Sequence, residues 1–247
     1  MDRAIYIAMT GAKNNMLAQT AHANNLANAN THGFRADFEQ ARSMGVYYGD
    51  GLPTRAYSQS ERPATDFSFG SLSQTGRNLD AAIERDGFFV VTAPDGTEAL
   101  TRVGNFVVSP EGVLHTGNGL PVMGEGGIIS LPPIEKIQIA RDGTISIQIQ
   151  GQGPEALANV NRLRLVNPDL DTIEKSTDGL FRLKDGGEFF DDPNVTVVAG
   201  FLETSNVNVI DEFTKVLALS RQYETQIKLM STVEENSDAS VRLLQLT

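Results

Sequence analysis

The chain opens with MDRAIYIAMTGAKNNMLAQTAHANNLANAN at positions 1–30, a stretch with eight alanines, six asparagines and only three charged residues. Residues that are mostly apolar or small recur along it at alternating intervals of four and three, the a/d spacing of a coiled-coil helix. The seam consists of Ile5, Met9, Ala12, Met16, Gln19, Ala23 and Leu26. Because small side chains bury little area, we expect this helix to need neighbouring helices for its stability.

A matching seam lies near the other end of the chain. The same intervals run through Phe213, Val216, Ser220, Tyr223, Ile227 and Met230. Asn208 is a good N-cap for this second helix, and Asp211 and Glu212 fall in its first turn, where the positive helix end favours carboxylates. No Gly or Pro follows before Thr247, so the predicted helix runs from about Val209 to near Leu246.

The middle of the chain follows a period of two, which is typical of half-buried strands. The alternation runs through Ile137 and Ile139, then Ile145, Ile147 and Ile149, then Leu163 and Leu165. Further short strands are predicted at 88–92, 100–103, 106–109, 113–115 and 195–198. Six Asp-Gly pairs, a dipeptide suited to tight hairpin turns, occur along the chain. Without long helices between the strands, we expect them to pair antiparallel.

These patterns predict an α+β fold in which long N- and C-terminal helices form a coiled-coil-like terminal module and an antiparallel β domain is inserted between them. The expected domains are 1–30 with 208–247 as the helical module, 31–69 as an extended arm or linker, and 70–207 as the central β domain.

Composition excludes several classes of partner and chemistry. The formal net charge is −11, whereas general nucleic-acid binders and polybasic membrane-surface proteins need arrays of Lys and Arg. The chain has no cysteine, so disulfides, thiolate zinc sites, iron–sulfur clusters and cysteine nucleophiles are excluded. No apolar run approaches the roughly 20 residues of a membrane span, and the N-terminus lacks the continuous apolar segment of a secretory signal. We therefore expect neither nucleic-acid binding nor membrane insertion.

Sequence motifs for catalysis are also missing. The chain contains no phosphate-binding glycine loop, nucleophile elbow, H-E-x-x-H pair or EF-hand loop. We therefore expect a protein that is not an enzyme, with no catalytic residues, no cofactor and no metal site. The enzymatic alternative is a β-rich periplasmic hydrolase that uses Asp80 and Glu84 as a carboxylate pair, although these acids are also typical of solvated turns.

The asparagines at 24, 25 and 28 allow two interpretations. In the first they belong to a helix C-terminus that ends at Gly33, because Asn and Gly tolerate left-handed caps. In the second, Asn24, Asn25 and Asn28 lie on a helix face packed in a crowded assembly, where amides pair without the desolvation cost of charges.

Three separated motifs make the chain resemble a known family. The first is Asn-Asn-Leu-Ala-Asn-x-x-Thr-x-Gly-Phe-Arg at 24–35. The second combines GSLSQTG at 70–76, Asp-Gly-Phe-Phe-Val at 86–90 and Leu-Thr-Arg at 100–102, and the third is GFLETSNVN at 200–208 followed by Arg-Gln-Tyr-Glu at 221–224. With these motifs in this order, nearly the whole chain resembles the axial rod and hook proteins of the bacterial flagellum.

The resemblance implies a structural subunit of the flagellar basal-body rod. Proteins of this family are exported without a cleaved signal by the flagellar type III apparatus. They polymerise in the periplasm around the export channel, with other rod proteins and copies of themselves, and transmit motor torque towards the hook and filament. The opening residues 1–6 and the segment 49–55 resemble proximal rod subunits, with a distal rod or hook-type subunit as the alternative. A phage-tail-like tube or adhesin would not explain all three motifs.

The resemblance also implies that the helix seams are partly intersubunit surfaces. The expected assembly interface comprises Ile5, Met9, Ala12, Met16, Asn24, Asn25, Leu26 and Asn28 on the first helix and Phe213, Val216, Tyr223, Ile227 and Met230 on the last.

Overall fold

An α-helix lies near each end of the chain, and short strands make up most of the middle. The structure, a computed structural model, describes residues 2–38, 41–47, 55–60, 64–149 and 157–245. Helix α1 spans Asp2–Ala27 and helix α2 spans Val209–Gln245. The α+β class, with a helix at each end and a β-rich middle, is thus confirmed, whereas the coiled-coil character of the helices and the inserted β domain stay predictions.

The first of two compact units, the helical unit, combines Met1–Ala29, Ala36–Asp66 and Val207–Thr247. His22 contacts Glu212 near the start of α2, and Gly11 lies against Gln226 farther along, so α1 and α2 pack antiparallel. A Cβ atom at Gly11 would lie 3.2 Å from the Gln226 Cδ, and the glycine therefore permits this close approach.

Two small antiparallel pairs of strands complete the helical unit. These are β1 Asp37–Phe38 with β4 Ala64–Thr65, and β2 Ala41–Val46 with β3 Arg55–Ser60. Asn14 Nδ2 on α1 donates to Ser58 Oγ on β3 over 2.7 Å. All four strands lie within 31–69, for which the sequence predicts an extended arm.

The second unit, the β unit, combines Asn30–Arg35 and Phe67–Asn206. Its strands are β5 Leu72–Gln74, β6 Ala81–Ile83, β7 Phe88–Thr92, β8 Glu98–Thr101, β9 Phe106–Val108, β10 Leu114–Thr116, β11 Met123–Gly124, β12 Gly127–Ile128, β13 Ile134–Ile139, β14 Thr144–Ile149, β15 Leu157–Arg162, β16 Leu165–Val166, β17 Ile173–Lys175, β18 Phe181–Leu183, β19 Val197–Ala199 and β20 Phe201–Glu203. A short 3-10 helix, Leu170–Thr172, precedes β17.

Antiparallel pairing holds throughout the sheets of the β unit that the structure describes. The largest sheet has the order β16-β7-β8-β18-β17, a second has the order β13-β14-β15, and the remaining strands form the pairs β9–β10, β11–β12, β6–β19 and β5–β20.

Tight turns at Asp-Gly pairs connect three of the hairpins. Gly96 joins β7 to β8, Gly143 joins β13 to β14 and Gly179 joins β17 to β18, with φ between 82° and 84°. This left-handed conformation favours glycine because it has no Cβ. The Asp-Gly pair at 50–51 lies outside the described residues.

Two apolar clusters form the core of the β unit. The larger contains the alternating isoleucines 137, 139, 145 and 147, which confirms the face predicted from the period of two. In the same cluster the rings of Phe89 and Phe106 meet edge to face, with centroids 5.2 Å apart. The second cluster lies around Phe88, Val90, Leu100 and Phe181.

Candidate assembly interface

Large apolar side chains on α1 point to solvent. Met16 is 61% exposed, Tyr6 56% and Met9 52%, and Ile7 and Leu17 are also exposed. The residues that α1 buries are instead small or polar, and they include Ala8, Ala12 and Asn25. An amphipathic helix normally buries its large apolar side chains. The exposed face of α1 therefore has the composition of a surface that packs against another protein.

Helix α2 exposes a longer series of apolar residues. Ile210 is 77% exposed and Phe213 52%. The others in the exposed series are Val209, Leu217, Tyr223, Ile227, Leu229 and Val241. Since these positions extend from the first turn to the last part of the helix, the exposed apolar surface follows most of the length of α2.

The predicted interface residues occupy three kinds of environment. Met9, Met16, Asn24, Phe213, Tyr223 and Ile227 are exposed. Ile5, Leu26, Asn28, Val216 and Met230 are half-buried. Ala12 and Asn25 are buried within the helical unit. Asn28 Nδ2 donates to the main-chain oxygen of Asn24, a contact within the last turns of α1.

Asn25 makes several polar contacts inside the chain. Its Nδ2 donates to the main-chain oxygen of Asp37 over 2.6 Å, and its Oδ1 accepts from the Asp37 N–H over 2.9 Å. The same Nδ2 lies 3.2 Å from Glu212 Oε2, which also contacts His22 Nδ1 at 2.6 Å. Lys215 Nζ donates to Glu212 Oε1 over 3.2 Å. We call these five residues the Glu212 cluster.

The Glu212 carboxylate is stabilised in its charged form. Burial raises the pKa of Glu212, but hydrogen bonds from His22, Asn25 and Lys215 outweigh this effect and hold the pKa below its ordinary value. From the sequence, Glu212 is expected only to lie in the first turn of α2, where the positive helix end favours a carboxylate. Its partners could not be predicted because His22 and Asn25 lie 190 and 187 positions away in the chain.

A second polar cluster, the Glu203 cluster, lies inside the β unit. Glu203 Oε1 accepts from Arg35 Nη2 over 2.7 Å and from the Gly70 N–H over 3.0 Å. Its Oε2 accepts from Arg102 Nε over 2.8 Å. The three charged side chains are each 2% exposed. A single carboxylate therefore pairs with two buried guanidinium groups.

The guanidinium groups of the Glu203 cluster have further partners. Arg102 Nη1 donates to the main-chain oxygens of Arg85 and Gly87, and both Arg35 and Arg102 lie within about 5.5 Å of the centre of the Phe69 ring. Burial lowers the pKa of Arg102, and Glu203 opposes that shift. The three sequence motifs supply this cluster, because Arg35, Gly70, Arg102 and Glu203 come from all of them.

The two carboxylates of the hydrolase alternative lie in different environments. Asp80 is 3% exposed. Glu84 lies at the surface, and hydrogen bonds first from Arg141 and then from Thr196 lower the pKa of its carboxyl. A general acid needs a raised pKa so that it holds a proton near neutral pH. Glu84 is therefore held in the wrong ionisation state for a glycosidase acid.

Metal and membrane sites receive no support from the described parts of the chain. Those parts contain no group of three or more His, Cys, Asp or Glu side chains that could hold a metal ion. Neither α1 nor α2 is long and apolar enough to cross a membrane.

Three family models match separate parts of the chain. Residues 5–35 match the model described as flagella basal body rod protein. Residues 82–153 match the flagellar hook protein FlgE/F/G D1 domain, and residues 198–243 match the flagellar basal body rod FlgEFG protein C-terminal model. The matches thus include parts of both helices and of the β unit.

Similarity to curated proteins extends over all or nearly all of the chain. The flagellar basal-body rod protein FlgF of Salmonella typhimurium is 41% identical, with both chains covered completely. FlgF of Escherichia coli is 39% identical over the same shares. The flagellar basal-body rod protein FlgG of Bacillus subtilis is 32% identical, with 95% of this chain and 96% of the relative covered.

Proposed function

Because this chain belongs to the family of flagellar basal-body rod proteins, we propose that it polymerises through its two terminal helices into a rod around the flagellar export channel. The chain is a structural subunit of the basal-body rod. The series of exposed apolar side chains on α1 and α2 is the observation that carries the proposal for these helices.

The proposed interface comprises the exposed members of the predicted set, foremost Met9, Met16, Phe213, Tyr223 and Ile227. These side chains are already partly buried in the subunit, so burying the rest of one of them between subunits contributes roughly 0.5–2 kcal/mol, and several together would support a stable helix-to-helix contact. The half-buried members of the predicted set, Ile5, Leu26, Asn28, Val216 and Met230, would border it. Asn25 and Ala12 are buried in the subunit and would support the interface from inside.

The proposed function also covers where the subunit lies in the flagellum, how it is exported and what mechanical load it carries. The subunit would occupy the proximal rod, leave the cytoplasm through the type III apparatus without a cleaved signal, and contact other rod proteins and its own copies. It would carry motor torque towards the hook without enzymatic activity, nucleic-acid binding or membrane insertion. The full-length similarity to FlgF proteins supports this proposal over a hydrolase.

A pair of methionine substitutions tests the interface. Met16→Asp places a charge on the exposed face of α1 and should abolish swimming in a strain that depends on this protein, because the carboxylate would lose its water on assembly. Met44→Asp is the matched control, since Met44 is also an exposed methionine of the helical unit, at 52%, but lies on β2. Soft-agar swimming and electron micrographs of isolated basal bodies give the readout.

Circular dichroism of both purified variants should show unchanged helix content, because both side chains lie at the surface. Normal swimming by the Met16→Asp strain would contradict an interface on α1. Equal loss of swimming in both strains, with both proteins folded, would show that assembly is not specific to the helices.

A further inference from the structure

We propose that His22, Asn25 and Glu212 form a pH-sensitive clamp that holds the first turn of α2 against α1 and β1 at neutral pH and releases it in acid. The clamp joins three stretches of the helical unit that are far apart in the sequence. It is a property of the single subunit and does not depend on assembly.

The clamp is anchored by paired hydrogen bonds. Asn25 uses its amide nitrogen and its amide oxygen to engage the main chain of Asp37, as a neighbouring strand would. The amide nitrogen of Asn25 also donates to Glu212 Oε2, and His22 Nδ1 contacts the same carboxylate oxygen. Asn25 is 1% exposed and Glu212 6%, so water cannot easily replace a lost partner. The contact therefore holds β1 and the start of α2 on the same part of α1.

The charged groups around Glu212 favour its ionised form. His22 faces it from α1, and Lys215 contacts it from α2 while also pairing with Asp211 at 2.6 Å. On β1, the main-chain oxygen of Asp37 accepts a hydrogen bond from Asn25. The Asp37 carboxylate accepts from Thr65 Oγ1 over 3.1 Å. In the tautomer that carries its hydrogen on Nδ1, His22 donates to Glu212 Oε2. The Glu212 carboxyl is therefore the group that opens it.

Protonation of Glu212 weakens the clamp because a neutral carboxyl has a weaker attraction for the surrounding donors. The pKa of Glu212 is lowered by folding, so its contribution is fully present above the ordinary value of 4.5. That contribution is lost as the pH falls through the lower pKa of the folded state. The helical unit should thus lose this part of its stability only in acid below about pH 4.5.

Thermal unfolding of the full chain, followed by circular dichroism at 222 nm, tests the clamp, because α1 and α2 dominate the helical signal. At pH 7, Glu212→Gln should lower the midpoint of the helical transition by roughly 5–10 °C, since hydrogen bonds to a charged group are lost. The difference from the natural chain should shrink progressively as the pH falls below 4.5. Glu235→Gln is the matched control, an exposed glutamate on the same helix, and should follow the natural chain at every pH.

Two further variants separate the clamp from general acid unfolding. Asn25→Asp places a second carboxylate beside Glu212, so its midpoint should rise relative to that of the natural chain between pH 7 and pH 5. His22→Gln keeps a side-chain N–H donor but cannot titrate, and it should retain the loss of stability below pH 4.5. Glu212→Gln behaving like Glu235→Gln would overturn the proposal, as would Asn25→Asp with the natural pH profile. If Glu212→Gln does not fold, the Asn25→Asp profile decides.

Discussion

At the residue scale, the two units use the same arrangement of charge. Each contains a buried glutamate, Glu212 in the helical unit and Glu203 in the β unit, that receives several donors from distant segments. The motif residues Asn25, Arg35 and Arg102 act in these clusters, inside the subunit. The motifs by which the family is recognised therefore include internal contacts, and the proposed assembly surface consists largely of other residues.

Removing the central charge of the Glu203 cluster should strongly destabilise the β unit. Glu203→Gln would leave the buried guanidinium groups of Arg35 and Arg102 without an anion, and breaking a buried ion pair in this way costs about 3–5 kcal/mol. Differential scanning calorimetry of the full chain measures the effect. Calorimetry is needed because the chain has no tryptophan, and Tyr6, Tyr47, Tyr57 and Tyr223 all lie in the helical unit.

The control for this prediction is Glu84→Gln. Glu84 also pairs with an arginine, Arg141 at 2.6 Å, but this pair is exposed to water, so its loss should have little effect. A Glu203→Gln chain that unfolds at the same temperature as the Glu84→Gln chain would show that the buried Glu203 ion pairs contribute no more to stability than the exposed Glu84 pair.

At the scale of elements, the sequence predicted those parts that rest on local patterns. The second helix was expected from about Val209 to near Leu246 and spans Val209–Gln245, because its N-cap and the absence of Gly and Pro are local signals. The strand expected at 88–92 is β7, Phe88–Thr92, because a run of β-branched and aromatic residues is itself the signal.

Elements without such patterns could not be predicted. Strands β2 and β3 contain Arg, Ser, Gly and Gln without regular alternation, and they are held by pairing with each other. Burial of Asn25 and Arg35 was equally hidden, because their partners Glu212 and Glu203 lie far along the chain. The sequence around a polar residue does not reveal whether its side chain will find hydrogen-bond partners in distant parts of the chain.

The N-cap of α2 supplies a prediction at this scale. Asn208 Oδ1 accepts from the N–H groups of Ile210 at 3.1 Å and Asp211 at 3.3 Å, which confirms the predicted cap. Asn208→Ala should cost about 1 kcal/mol, seen as a lower midpoint of the helical transition at 222 nm, and Asn208→Asp should retain most of the stability. Asn236→Ala, an exposed asparagine in the interior of α2, should instead raise the midpoint slightly, because alanine is the better helix former. A fall of similar size for both alanine variants would argue against a capping role for Asn208.

At the scale of the whole molecule, the chain passes between the two units several times. The short segment Asn30–Arg35 belongs to the β unit, although it directly follows the last residues of α1. Within it, Gly33 N–H donates to the main-chain oxygen of Glu203 over 2.9 Å, and the main-chain oxygen of Arg35 accepts from Lys175 Nζ over 2.8 Å. We propose that a stable β domain must include this segment in addition to the predicted range 70–207.

Two fragments of the chain test that proposal. A fragment of residues 30–206 retains Arg35, whereas a fragment of residues 67–206 leaves Glu203 with Arg102 as its remaining guanidinium partner in the Glu203 cluster. The longer fragment should be more stable by about 1.5–3 kcal/mol in urea or calorimetric unfolding, because Glu203 stays paired with Arg102 in both fragments but receives the charged hydrogen bond of Arg35 only in the longer one. Arg35→Met in the longer fragment should remove most of that gain while preserving its length. Equal stability of the two fragments would show that Arg35 adds nothing to the β domain, and an unchanged gain in the Arg35→Met fragment would assign the gain to the main-chain contacts of residues 30–35.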